Sequence, residues 1–190
     1  MIGITGSFCA GAGTAAEMLG KLLAAPVESY SDKLREIEKQ RGMPITRESH
    51  YLLANELRAK DPASLSKMIA DDFQKRKGSE FFVAEKLRSI GDYRGFKEKL
   101  GSNFILLAID APLQVRYQRA VGRKREGEEK LSLAEFAASE KKENRAKAGV
   151  GEQNISALMK LADYSITNDS SQKELREKLV EFTSKFSLKN

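Results

Sequence analysis

Gly6, Gly11, Gly13 and Thr14 have the spacing of a phosphate cradle, within Gly6-Ser7-Phe8-Cys9-Ala10-Gly11-Ala12-Gly13-Thr14 near the start of a 190-residue chain. Small residues at this density let successive backbone N–H groups wrap an anion, and a helix beginning inside the loop adds the positive end of its dipole. The Gly6 to Gly11 interval matches the phosphate-loop pattern G-x-x-x-x-G-K-[ST]. The lysine position, however, is Ala12, the next is Gly13, and the hydroxyl is displaced to Thr14. The cradle is present and its cation is missing. Cys9, the single cysteine, has no partner for an internal disulfide, and its small size accounts for its place in the loop.

Other charged residues stand where apolar runs end. Asp32 and Arg35 follow the run Pro26 to Tyr30, and Glu85 closes Phe81-Phe82-Val83-Ala84, with Arg88 just beyond. Ligands of open parallel sheets bind at the C-terminal edge of the strands, so these four are candidate substrate contacts. Each also has a plainer reading: Asp32 as an acid favouring a helix N-terminus, Glu85 with Arg88 as an ion pair fixing a loop. Arg116, Arg119 and Arg123 recur at intervals of three and four, hence on one helical face, with Arg125 beyond. Three such groups repel each other unless an anion lies among them, and planar, permanently charged guanidinium suits the neutralisation of phosphoryl charge. The alternative is a solvated basic face. Asn168 and Asp169 end the last apolar run, in residue types that also favour turns. His50, with no metal ligand near it in sequence, reads as packed or solvated.

Alternating strands and helices must position these groups. Ile2 and Ile4 suit a buried strand, and a helix from Thr14 to Ala24 carries Met18, Leu19, Leu22 and Leu23 at helical spacing. Pro26 to Tyr30 reads as a short strand, after which Ser31 caps a helix from Asp32 to about Arg41. Thr46 caps the next helix, with Leu52, Leu53 and Leu57 as its buried stripe. Asp61 caps another, with Pro62 first and Leu65, Met68, Ile69 and Phe73 inward until Gly78. A strand from Phe81 to Glu85 precedes a helix from Asp92 to Leu100. Phe104 to Asp110, nearly all apolar, reads as a central parallel strand covered on both faces. Ala111-Pro112 opens the arginine-bearing helix. A polar connection at Glu126 to Lys130 leads to a Ser132/Glu135 capping box and a charged helix to about Ala148, broken at Gly149-Val150-Gly151. A short helix from Ile155 to Leu161, a strand from Tyr164 to Thr167 and a closing helix capped by Ser171, with Leu175, Leu179, Phe182 and Phe186 inward, complete the chain. The pattern predicts an α/β fold with about five parallel strands between helical layers.

Composition narrows the function. A chain of this length with 41% hydrophobic residues supports one core and one domain with insertions. No apolar run reaches the roughly 18 to 20 residues of a membrane span, and the apolar start has no basic leader or cleavage site, so a soluble, cytoplasmic protein is expected. A net charge of +6 favours anionic partners, and its spread along the chain suits phosphorylated metabolites as well as nucleic acid. With 7% aromatic residues and no tryptophan, a base-stacking surface is not expected.

The loop resembles that of adenylate kinase and its relatives, G-x-x-x-A-G-K-G-T, at every specified position from Gly6 to Thr14 except Ala12. Later segments are similar, in order, to the dephospho-CoA kinases and deoxynucleoside monophosphate kinases: "RG-P-TR", an acid and arginine after a strand (Glu85, Arg88), "D-P---R--R---R" at the start of a lid, and "AD-VI-N" at ADYSITND. This resemblance runs the full chain and implies a three-layer P-loop kinase fold, a substrate-binding helical region at about 31–78 and a lid at about 119–150. It implies ATP-dependent phosphoryl transfer to a small phosphorylated or nucleotide-like acceptor, with ATP and Mg2+ bound and neither nucleic acid nor membrane as partner. Gly6 to Thr14 would hold the donor phosphates and Asn168 would lie near adenine. Arg119 and Arg123 would stabilise transferring charge, Asp32 would position or deprotonate the acceptor beside Arg35, Glu85 and Arg88, and Thr14 with Glu85 would arrange magnesium. Losing the loop lysine removes one preorganised donor, on the scale of roughly 10² to 10³ in rate, which keeps a second reading open: a silent nucleotide-binding sensor. The acceptor and the oligomeric state are not specified by these motifs.

Overall fold

β-Branched and aliphatic runs pair side by side in the computed structural model, which describes residues 1–76, 78, 80–123, 132–144 and 154–188. β1 (Ile2–Gly6), β2 (Val27–Ser29), β3 (Val83–Glu85), β4 (Ile105–Asp110) and β5 (Tyr164–Thr167) form one parallel sheet in the order β2-β3-β1-β4-β5. β1 is central, pairing with β3 at Ile2↔Val83 and with β4 from Ile2↔Ile105 to Gly6↔Ile109. The chain therefore leaves β1 for one edge of the sheet and later crosses to the other side, and that reversal opens a crevice at the C-terminal end of β1.

Helices cover both faces: α1 (Ala12–Leu22), α2 (Tyr30–Gln40), α3 (Arg47–Lys60), α4 (Ser64–Lys75), α5 (Ile90–Leu100), α6 (Leu113–Gly122), α7 (Leu133–Asn144), α8 (Ile155–Met159) and α9 (Gln172–Lys185). On one face Ala15, Ala16 and Leu19 of α1 and Leu179 and Phe182 of α9 pack on Ile4, Ile109 and Ile166. On the other, Leu34, Leu53, Leu65, Ile69 and Phe96 pack on Phe82, Ala84 and Leu106. Burial on both sides explains why β4 reads as an unbroken apolar run. The three-layer α/β fold is the one expected. Lys33 of α2, itself buried, pairs with Asp72 of α4 and ties two of the three consecutive helices between β2 and β3. Among the described residues no helix is long and apolar enough to cross a membrane.

Several boundaries differ from expectation. α1 begins at Ala12, inside the loop. Ser29, not Ser31, caps α2: its backbone is extended, and Asp32, now the third helical residue, completes a capping box with it. Leu52 is 57% exposed, because α3 buries the stripe Leu53, Ala54 and Leu57 instead. Asp61 accepts the Ala63 N–H at 2.8 Å in a turn that precedes α4, so Pro62 lies before that helix. Ser89 and Asp92 form another capping box, which starts α5 at Ile90. α6 starts at Leu113, after Pro112, and α8 ends at Met159. The Ser132/Glu135 box is present. Arg125, the connection at 126–130, the continuation of α7 beyond Asn144 and the Gly149–Gly151 break lie outside the described residues.

Candidate functional site

The segment between β1 and α1 is held open by its glycines and by Asn168. A Cβ on Gly6 would lie 2.3 Å from the Ile109 carbonyl oxygen, so only glycine lets the loop leave β1 this close to β4. Gly11, at φ 97°, caps α1 without a side-chain hydrogen bond, and the first turn of α1 has no acidic residue. Its N-terminal N–H groups thus have neither the capping hydroxyl nor the capping carboxylate that α2 and α5 possess. The buried Asn168, just past β5, donates from its amide to the Ala10 carbonyl at 2.8 Å, and its own N–H bonds Asp110 at 2.7 Å. Loop and helix start line a cavity of about 670 Å³ together with Lys86, Arg88, Arg119, Arg123 and Asn168.

α6 lies along the other side of the loop. Arg116 donates to the Phe8 carbonyl at 3.4 Å and Arg119 to the Ala10 carbonyl at 3.2 Å, while Arg123 contacts the Cys9 sulfur and lies 5.3 Å from the Phe8 ring centroid. The expected row of three mutually repelling arginines is corrected by Arg116, which is buried and paired with Glu140 of α7. Its charge is compensated within the protein, by a carboxylate. α7 docks on the same loop through Phe136, whose ring packs 5.8 Å from Phe8 and 5.9 Å from Tyr117.

The remaining sequence-derived residues divide. Glu85 ends β3, with the Lys86 ammonium 2.6 Å from its Oε1, and its Oε2 lies 3.5 Å from where a Cβ on Gly13 would stand. Arg88 and Thr14 line the cavity, whereas Asp32 and Arg35 do not. Asp32 Oδ2 accepts from the Ser29 N–H at 3.0 Å and the Ser29 hydroxyl at 2.7 Å, and Oδ1 accepts from Arg35 at 2.6 Å. Burial alone would raise its pKa, but the Ser29 hydrogen bonds, with help from Arg35 and Lys86, hold the carboxyl below its ordinary value of 3.8. A depressed folded-state pKa adds stability that is complete above the unfolded value and disappears as pH falls through the folded one. Replacing Asp32 by alanine is therefore expected to cost about 1 kcal/mol at pH 7, the scale of an acidic group at a helix N-terminus, through loss of its half of the capping box. Urea denaturation of parent and variant at pH 7 and near pH 3 checks this: the difference should shrink at the lower pH, and an equal difference at both would remove the charge-based account. His50 is packed, its Nδ1 2.9 Å from the buried Glu38 carboxylate, away from the cavity.

Sequence reasoning passed over Lys86 and Glu140. Lys86 was discoverable as the residue next to a strand-ending acid; Glu140 had no local signal.

No family model matches the chain. The UPF0200 protein PH1008 of Pyrococcus horikoshii is 32% identical over 165 residues, covering 84% of this chain and 83% of that one. The chain belongs to the UPF0200 family. The UPF0200/UPF0201 protein of Archaeoglobus fulgidus is 29% identical over 181 residues, 94% of the chain and 53% of that protein. This UPF0200 chain thus spans about half the length of that relative. Among solved structures, TT1252 from Thermus thermophilus superposes with a TM-score of 0.58 at 19% identity, covering 97% of this chain and 96% of that one. Shikimate kinase from Aquifex aeolicus superposes with a TM-score of 0.55 at 14% identity over 100% and 99% of the two chains. The UPF0200 chain therefore has the P-loop kinase fold.

Proposed function

We propose that the chain binds ATP at the loop from Gly6 to Thr14 and transfers its terminal phosphoryl group to a small phosphorylated or nucleotide-like acceptor, of the nucleoside monophosphate, deoxynucleotide or dephospho-CoA type. The observation that carries this reading is the start of α1, uncapped by any side chain and opening into a cavity lined by basic side chains. An acceptor oxygen attacks the terminal phosphorus as the bond to the departing ADP oxygen breaks, so catalysis is a matter of positioning and charge. Arg119 and Arg123 sit on the cavity wall for the transferring group, and Arg88 faces it from the β3 side. The half-exposed Asp32 to Arg35 pair, at the C-terminal edge of β2, would meet the acceptor, with the helical region of about 31–78 forming its site and about 119–150 the lid.

Among the described residues no three His, Cys, Asp or Glu side chains cluster as a metal cage. Magnesium held largely by substrate phosphates needs only one or two protein oxygens, which Thr14, on the cavity wall, and Glu85, with Oε2 3.5 Å from a Cβ position on Gly13, would supply. Bound there, the ion would neutralise charge on the phosphates.

Incubation with terminally labelled ATP and a panel of nucleoside monophosphates, deoxynucleotides and dephospho-CoA tests the reading. Label is expected in one acceptor class. ATP binding without transfer to any acceptor would favour the second reading, a silent nucleotide-binding sensor, for which Ala12 is the specific observation. No ATP binding would remove both.

A further inference from the structure

The loop lacks a lysine at Ala12, yet the cavity around it has one that the motif does not anticipate. Lys86 follows Glu85 at the end of β3, and β3 is hydrogen-bonded directly to β1, so the topology brings residue 86 beside the loop. Lys86 and Ala12 line the same cavity. Glu85 stands between Lys86 and the loop, with one carboxylate oxygen 2.6 Å from the Lys86 ammonium and the other 3.5 Å from a Cβ position on Gly13.

The backbone of Lys86 is held in place. Its φ is 64°, a left-handed conformation uncommon for a long side chain. On its C-terminal side the Leu87 N–H bonds the Ile4 carbonyl at 3.1 Å, and the Thr5 hydroxyl donates to the Leu87 carbonyl at 2.9 Å. On its N-terminal side Glu85 is in register with Ser29 of β2. Both neighbours are thus anchored to the sheet, and the residue between them is forced to turn toward the cavity. Strained backbone of this kind gathers at ligand sites. The side chain is 49% exposed, which leaves its ammonium within reach of a ligand at the cavity wall. The arginines of α6 do not duplicate this position, because Arg116 and Arg119 are engaged with the loop carbonyls of Phe8 and Ala10 on the opposite side.

We infer that Lys86 is the phosphate-binding lysine of this loop, supplied from the end of β3 in place of the one absent at Ala12. The inference rests on the nucleotide-binding reading above. A lysine ammonium is a compact point charge on a flexible stem, so its function depends on where the charge arrives rather than on which strand sends it. Glu85 holds the ammonium at 2.6 Å, and a bound polyphosphate would offer it a second anionic partner without moving the backbone.

Calorimetric titration of the whole chain with ATP and with AMP, magnesium present, tests this in the parent, in Lys86→Gly and in the double variant Ala12→Lys, Lys86→Gly. Glycine removes the charge and accepts the left-handed backbone, so Lys86→Gly is expected to fold at least as well as the parent. The parent should bind ATP more tightly than AMP. Lys86→Gly should weaken ATP by about 10 to 100-fold, the scale of one charge-assisted hydrogen bond, with AMP changed less than about twofold, and the double variant should regain ATP affinity. If Lys86→Gly keeps the parental preference for ATP, or weakens ATP and AMP equally, the assignment of Lys86 falls while the nucleotide site stands. If the parent itself shows no preference for ATP over AMP, both the assignment and the reading beneath it fall.

Discussion

Valine in place of Gly11 is expected to abolish nucleotide binding, with at least about a 100-fold loss of ATP affinity, equivalent to some 2.7 kcal/mol. Two effects add. Gly11 sits at φ 97°, where a β-branched residue is a severe outlier, and any Cβ there would stand 2.5 Å from Asn168 Nδ2. Asn168 is the residue that holds the Ala10 carbonyl at 2.8 Å, so the valine either displaces this latch or turns the loop out of its cradle. Either movement misplaces the N–H groups at the start of α1. Calorimetry on Gly11→Val and the parent measures the loss, with far-ultraviolet circular dichroism to show that the fold survives. Equal affinity in the two proteins would withdraw the loop as the nucleotide site.

Alanine at Arg119 or Arg123 is expected to lower turnover of the identified acceptor by about 10² to 10³, the usual consequence of removing one preorganised donor from a developing charge. ATP affinity should fall much less, because an interaction made chiefly in the transition state appears in turnover rather than in ground-state binding. Arg116→Ala should behave differently. Arg116 is buried and paired with Glu140, so its removal leaves a carboxylate without its partner under α7 and costs stability, up to about 3 kcal/mol, before it costs rate. Steady-state kinetics with parallel thermal denaturation separates the three arginines. Parental turnover in Arg119→Ala and Arg123→Ala would reduce the basic face to a support for the loop, which their contacts with Ala10, Cys9 and Phe8 already provide.

Local patterns in the chain carried the fold a long way. The apolar runs ending at Gly6, Glu85, Asp110 and Thr167 correspond to strands, and the Thr46 cap and the Ser132/Glu135 box sit at helix starts, because strand periodicity and capping are satisfied within a few residues of chain. The loop from Gly6 to Thr14 was legible for the same reason: its signal is backbone freedom, written in glycine. Where two local solutions compete, packing chose. Ser29 rather than Ser31 caps α2 because β2 ends there, and Leu53 rather than Leu52 is buried because α3 presents a narrow stripe to α2 and α4.

Neighbours across the sheet were beyond the reach of such patterns. Strand order places β3 beside β1, and only that order puts Lys86 next to the loop that lacks a lysine. The packing of α7 on Phe8 brings Glu140 to Arg116 and divides three similar arginines into one that is compensated and two that line the cavity. Spacing along the chain states which residues can share a face of one element. Which charge meets which is decided by contacts between elements distant in sequence, since those energies depend on separation and burial in the assembled structure.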